Sequence, residues 1–282
     1  MELTRVGTVR TGWGESLVYD ERRDRLYFVD CAAQTLHWLS GGSGEPETMH
    51  LPSMAAGLVP ADDGTLVGAL DDGLHVIDPD AGRTRMLSAY PPELGARAND
   101  ACADLSGNIV TGTLNLAAGP GSLWWFSARD GWRMLDTGIA NTNGPNVVVA
   151  DGVMSLYVGD TSADYYRYAY EAESGAVGQR EVFGDVSALD GAPDGAALDD
   201  EGGLWCALVG GSQLARFTAS GLDRTVALPV TNPTDVAFGG PGFDRLYVTS
   251  IGLGAEDDAV DGALLVLDGL GVRGRPEPRA TL

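Results

Sequence analysis

The chain has 282 residues, 44% of them apolar and 40 of them glycine, which is enough to bury a large core in one domain and rich in turns. Its 40 acidic side chains stand against 18 basic ones, all arginine, and the net charge of −22 repels a nucleic-acid backbone and an anionic membrane surface alike, so neither is expected as a partner. No apolar run approaches the roughly 20 residues of a membrane span, and three scattered cysteines (Cys31, Cys102, Cys206) with no signal-like start predict a disulfide-free, cytoplasmic protein.

In chain order, residues 2–10 alternate polar and apolar without a hairpin partner of their own, so they form a strand that must pair elsewhere. A unit then repeats: a polar head residue, a short apolar run, a turn and a second apolar run. Its clearest copy has Asn143 at the head, Val147, Val148 and Val149, the turn Asp151-Gly152, and Leu156-Tyr157-Val158, the pattern of a β-hairpin. Glu15 stands ahead of Leu26-Tyr27-Phe28-Val29, Asn99 ahead of Ile109-Val110, Asp194 ahead of Leu204-Trp205, and Thr234 ahead of Leu246-Tyr247-Val248. A weaker copy begins at Ala56 and continues to Leu66-Val67. An aspartate also sits five positions after three heads, at Asp20, Asp104 and Asp199.

Heads at 15, 56, 99, 143, 194 and 234 are separated by 40 to 51 residues, the period of propeller blades. The spacing predicts an all-β, six-bladed β-propeller with a central channel, one domain over 1–282, whose N-terminal strand closes the last blade and removes a free sheet edge. Its blades are expected near 15–39, 55–77, 97–126, 142–170, 194–217 and 234–267, with 91–95 a linker, 255–261 an acidic solvated insertion, and no amphipathic helix. Equivalent positions of radially arranged blades lie on a ring, so the heads converge at one mouth of the channel. Taken singly, each suits a turn or strand cap. Taken together, two carboxylates, two amides and a hydroxyl make a set of hard oxygen donors suited to a divalent cation, which relieves the repulsion between Glu15 and Asp194.

The segments Gly14-Glu15-Ser16-Leu17-Val18-Tyr19-Asp20, Arg97-Ala98-Asn99-Asp100, Asn143-Gly144-Pro145, Pro193-Asp194-Gly195, Ala237-Phe238-Gly239-Gly240 and the tail from Gly271 to Arg279 resemble, in order and almost end to end, the motifs of the senescence marker protein/gluconolactonase/luciferin-regenerating enzyme family. The resemblance implies a lactonase-type hydrolase with one divalent metal, commonly calcium, with zinc, manganese or magnesium also accepted. It implies Glu15, Asn143 and Asp194 as metal ligands, Asp194 also as the catalytic base, and Arg97 and Asn99 as substrate contacts.

Hydrolysis of a cyclic ester by a metal-activated water is therefore the expected reaction, with a small-molecule substrate and a monomer or weak homo-oligomer as the working state. Two departures bear on the substrate. The family's Glu-Gly-Pro is here Glu15-Ser16-Leu17. After Gly112-Thr113, where sugar lactonases carry an acid that binds substrate hydroxyls, this chain has the mostly apolar run 114–120, with Asn115 the one polar substitute and a candidate substrate contact. A polyol needs donors and acceptors, so the run predicts a substrate less hydroxylated than a sugar lactone. The alternatives keep the propeller: a metal-dependent isomerase or cyclase that adds no water, or a ligand-binding propeller without turnover. His37, His50 and His75 lie off the heads and are expected to pack or face solvent. Trp124-Trp125 and Tyr165-Tyr166 are expected as core aromatics.

Overall fold

Short apolar runs punctuated by Asp- and Gly-bearing turns close into hairpins, and the hairpins into sheets. A computed structural model of the protein describes residues 1–114, 121–150, 152–255 and 260–282. Within these, six antiparallel sheets follow one another along the chain as the blades of a propeller. Their inner strands are Gly14–Asp20, Ala55–Pro60, Arg97–Ala103, Thr142–Ala150, Ala192–Leu198 and Pro233–Gly239, each heading its own sheet and, except for the half-buried Arg97–Ala103, buried over most of its length. The six predicted heads all fall on them. The N-terminal strand Glu2–Arg10 pairs antiparallel with Ala263–Asp268 as the fourth strand of the sixth blade, so the ring closes as expected.

The sequence expectation stopped short at the rim. Each blade has an outer strand, such as Glu47–His50, Arg83–Ala89 and Gly221–Ala227, most of which lies beyond the predicted spans. Apart from single residues such as Val226, these strands are largely exposed, so the continuous apolar runs that mark the inner strands are missing from them. The expected linker 91–95 contains a single 3-10 turn, Pro92–Leu94, closed by Gly95 in the left-handed region.

The core is distributed round the ring. Six buried apolar clusters each join two neighbouring blades: Tyr27, Leu36 and Leu66 between blades one and two, Trp125, Leu156 and Tyr168 between three and four, and Trp205, Leu246 and Leu265 between five and six, with three equivalent clusters completing the circle. Packing thus fixes the blades relative to one another, and through them the ring of heads.

The recurring aspartates five residues past the heads end the inner strands and are nearly inaccessible to solvent. Asp104 accepts from the Ser106 and Asn108 amides, the Trp125 indole and the Tyr170 hydroxyl, and Asp199 accepts from Glu201, Gly203, Trp205 and Arg216. They anchor turns at the channel end opposite the heads. The C-terminal tail crosses that same end, with bridges Asp199↔Gly274 and Ala61↔Ala280, and Arg279 paired with Asp20 and Glu21.

Candidate active site at the channel mouth

Every inner strand slips its register against the second strand just after its head: between Glu15 and Val18, Ala55 and Leu58, Asn99 and Ala101, Asn143 and Asn146, Pro193 and Ala196, and Pro233 and Val236. A β-bulge presents successive residues where a regular strand presents alternate ones. Ser16, Asp100 and Gly144, each directly after a head, have φ of 55, 53 and 49°, the left-handed conformation the bulge requires. The channel is therefore lined in two layers, the heads at the mouth and Ser16, Asp100, Gly144, Gly195 and Asp235 beneath them.

In the mouth layer, Asn99 Nδ2 donates to Asn143 Oδ1 at 2.6 Å and to the Thr142 carbonyl at 2.9 Å. Asn143 Nδ2 in turn donates to Thr161 Oγ1 at 2.5 Å and to the Pro193 carbonyl at 3.5 Å. The orientation of the Asn143 amide follows from these contacts: its nitrogen is used, and its oxygen keeps a lone pair beyond the one that Asn99 occupies. The backbone of Asp194 is held by the buried hydroxyl of Tyr165, which donates to its carbonyl at 2.6 Å and accepts from its amide at 3.0 Å. Glu15 accepts from the Trp13 indole Nε1 at 3.1 Å. Arg97, on the inner strand of blade three, lays its guanidinium over the Trp13 ring, 5.7 Å from the centroid, and reaches Met54 Sδ.

Beneath, Asp100 accepts from the Gly144 amide at 2.6 Å and Asp235 from the Leu17 amide at 2.7 Å, so each carboxylate ties its blade to the next. Close approach is possible because Gly195 has no side chain: a Cβ there would lie 1.9 Å from Asp235 Oδ1. The charges are densely placed. Burial, reinforced by Asp100, pushes Glu15 up to about 8. Asp194 is driven well above the usual carboxylate range by burial and then by Glu15, Asp235 and Asp100. Asp235 is raised by burial, Asp100 and Glu15.

Glu15, Asn99, Asn143 and Asp194 are thus brought to one mouth, with Arg97 beside them. Asn115 lies outside the described residues, as does most of the run 114–120. Ala56 and Thr234 reach the same ring, the Thr234 hydroxyl donating to the Gly14 carbonyl at 2.5 Å. Sequence reasoning missed Trp13, Met54, Thr161 and the lower layer. Asp100 and Asp235 had a readable signal, since both directly follow a head; Trp13 and Met54 had none. Among the described residues, no three His, Cys, Asp or Glu side chains converge as a metal-binding group, so a cation here needs the Asn143 oxygen beside Glu15 and Asp194. The donor set fits that role: two carboxylates that repel each other in a buried mouth, and an amide whose nitrogen is already committed.

Fold and mouth together define a propeller with an acidic, oxygen-lined site at one end of its channel and a strapped opposite end. A sequence profile of the SMP-30/gluconolactonase/LRE-like region matches residues 13–252, and the chain belongs to that family. Pentonolactonase XacC of Haloferax volcanii is 32% identical, with 99% of this chain and 98% of that protein aligned. A luciferin-regenerating enzyme structure superposes with a TM-score of 0.89 at 26% identity, covering 100% of this chain and 99% of that one. A calcium-binding regucalcin from Agrobacterium tumefaciens superposes at 0.86 with 28% identity, over 99% and 98% of the two chains.

Proposed function

We propose that the protein hydrolyses a lactone to its hydroxy acid, with one divalent cation held by Glu15, Asn143 and Asp194. Calcium is the first candidate, with zinc, manganese and magnesium within reach of the same oxygen donors. The observation that carries this reading is the pairing of two mutually repelling carboxylates, Asp194 buried and Glu15 half-buried, with an amide oxygen of fixed orientation. When bound, such an ion polarises a carbonyl and lowers the pKa of a water. Asp194 takes the proton from the attacking water, its backbone held still by Tyr165. Arg97 presents a planar fork to the ring or carboxyl oxygens. Asn99 holds Asn143 in place and offers its own oxygen to the substrate.

Trp13 and Met54 flank Arg97 with apolar surface. Together with the apolar run 114–120 of the sequence, they support a substrate less hydroxylated than a sugar lactone. A second reading, a five-carbon sugar lactone, is favoured by the similarity to the pentonolactonase. Metal-stripped protein reloaded with calcium, zinc, manganese or magnesium should release acid from members of a panel running from pentono- and hexonolactones to alkyl γ- and δ-lactones. Acid release should vanish in Asp194→Asn. Turnover faster on pentonolactones than on alkyl lactones overturns the apolar-substrate reading, and a product of unchanged mass overturns hydrolysis in favour of isomerisation.

A further inference from the structure

Trp13 belongs to no motif, yet it touches both halves of the mouth. Its backbone is pinned where blades one and six meet: its amide donates to Asp30 Oδ1 at 3.1 Å, its carbonyl accepts from Cys31 at 2.8 Å, and it bridges to Ile251. Its indole packs against the apolar cluster between blades one and two beside Met54, leaving the ring partly open toward the mouth. One edge of the ring donates to Glu15 and one face carries Arg97.

The choice of side chain matters chemically. An indole N–H donates and cannot accept or ionise, so it occupies one lone pair of Glu15 without competing for a cation. The ring face attracts a guanidinium through its quadrupole without neutralising it. Glu15 and Arg97 are close enough for the positive charge to act on the carboxylate, yet among the described residues Arg97 makes no ion pair. A direct Glu15–Arg97 bridge would cancel the charge that attracts a cation and occupy the fork that the substrate needs.

Resting on the function proposed above, we propose that Trp13 is a positioning residue that keeps Glu15 and Arg97 apart, aiming the carboxylate at the cation and the guanidinium at the substrate. Its two contacts are separable by substitution. Trp13→Phe keeps a ring under Arg97 and removes the donor to Glu15, whereas Trp13→Leu removes both.

The test is calorimetric titration of calcium alone into metal-stripped wild type, Trp13→Phe and Trp13→Leu, followed by steady-state kinetics on the best lactone at saturating calcium. Thermal melts establish that each variant is folded. Partners of this kind behind a metal ligand are typically worth about 10- to 100-fold in affinity. Trp13→Phe should therefore weaken calcium binding by about that factor while KM stays within about threefold of wild type. Trp13→Leu should weaken calcium equally and also raise KM roughly tenfold, the loss expected for a misplaced substrate contact of about 1.4 kcal/mol. Calcium affinity of Trp13→Phe within threefold of wild type overturns the proposal, and so does a KM that shifts equally in both variants. Wild type that binds no divalent ion overturns the functional reading beneath it, which is a different result from wild type that binds and hydrolyses normally beside an unaffected Trp13→Phe.

Discussion

The Tyr165 ring hydroxyl does for Asp194 what a neighbouring strand does for ordinary strand residues. At the bulge, the amide and carbonyl of Asp194 have lost their ladder partners, and the fully buried hydroxyl supplies both a donor and an acceptor. Tyr165→Phe keeps the ring packing of blades four and five and leaves both backbone groups buried without that partner. An unmet buried group costs about 1–3 kcal/mol, so the melting temperature should fall by several degrees at least. With Asp194 as the base proposed above, the larger effect is expected on turnover, since Asp194 is then free to move: kcat should drop about tenfold or more with KM little changed. Wild-type kcat in a folded Tyr165→Phe protein would show that Asp194 is held by its side-chain environment alone. Tyr165 was legible only as a core aromatic, because the role comes from a contact with a residue 29 positions away, which no local pattern encodes.

At the scale of the element, the inner strands show how much of the site was readable. Their heads stood out because polar residues at a fixed offset before apolar runs recur with the blade period, and all six predicted heads land on inner strands. The bulges did not stand out, since the sequence at each differs: Ser16, Gly57, Asp100, Gly144, Gly195 and Asp235 follow the heads, and only some are glycine. That variation makes a paired prediction. Ser16 adopts a left-handed conformation with a buried, unpartnered hydroxyl, an arrangement that glycine relieves on both counts. Ser16→Gly should therefore raise stability by about 0.5–1 kcal/mol, roughly 1–2 °C. Gly144 has the same backbone, but a Cβ there would lie 2.6 Å from the Ala196 amide nitrogen, so Gly144→Ala should lose on the order of 2 kcal/mol or more. Melts of the two variants beside wild type check both signs at once; equal shifts would remove the bulge as the cause.

Over the whole molecule, the ring is closed twice, once by the N-terminal strand in the sixth blade and once by the tail across the end opposite the site. The first closure was predictable from a strand lacking a partner. The second was not, because the tail has no regular structure and holds on through single contacts such as Arg279 to Asp20. Its residue Glu277 lines a cavity of about 30 Å³ in the channel together with Ser16, Asp100 and Asp235. Burial, then the charges of Asp100 and Glu21, raise its pKa from 4.5 to about 7. With the folded pKa above the unfolded one, the folded protein binds this proton more tightly, and the stability so gained is complete below about 4.5 and lost as pH rises through about 7. Above that, the fold carries an ionised carboxylate in an acidic channel. Glu277→Gln is held in the uncharged form at every pH, so its melting temperature should match wild type near pH 4.5 and exceed it at pH 8. After allowing for solvent that reaches Glu277 from the far face, the gain should be on the order of 1–2 kcal/mol, roughly 2–4 °C. Melts in parallel from pH 4.5 to 8.5 measure that gap, and a gap that is constant with pH, or largest at the acid end, would mean that the tail is held by its arginine contacts with no contribution from the protonation of Glu277.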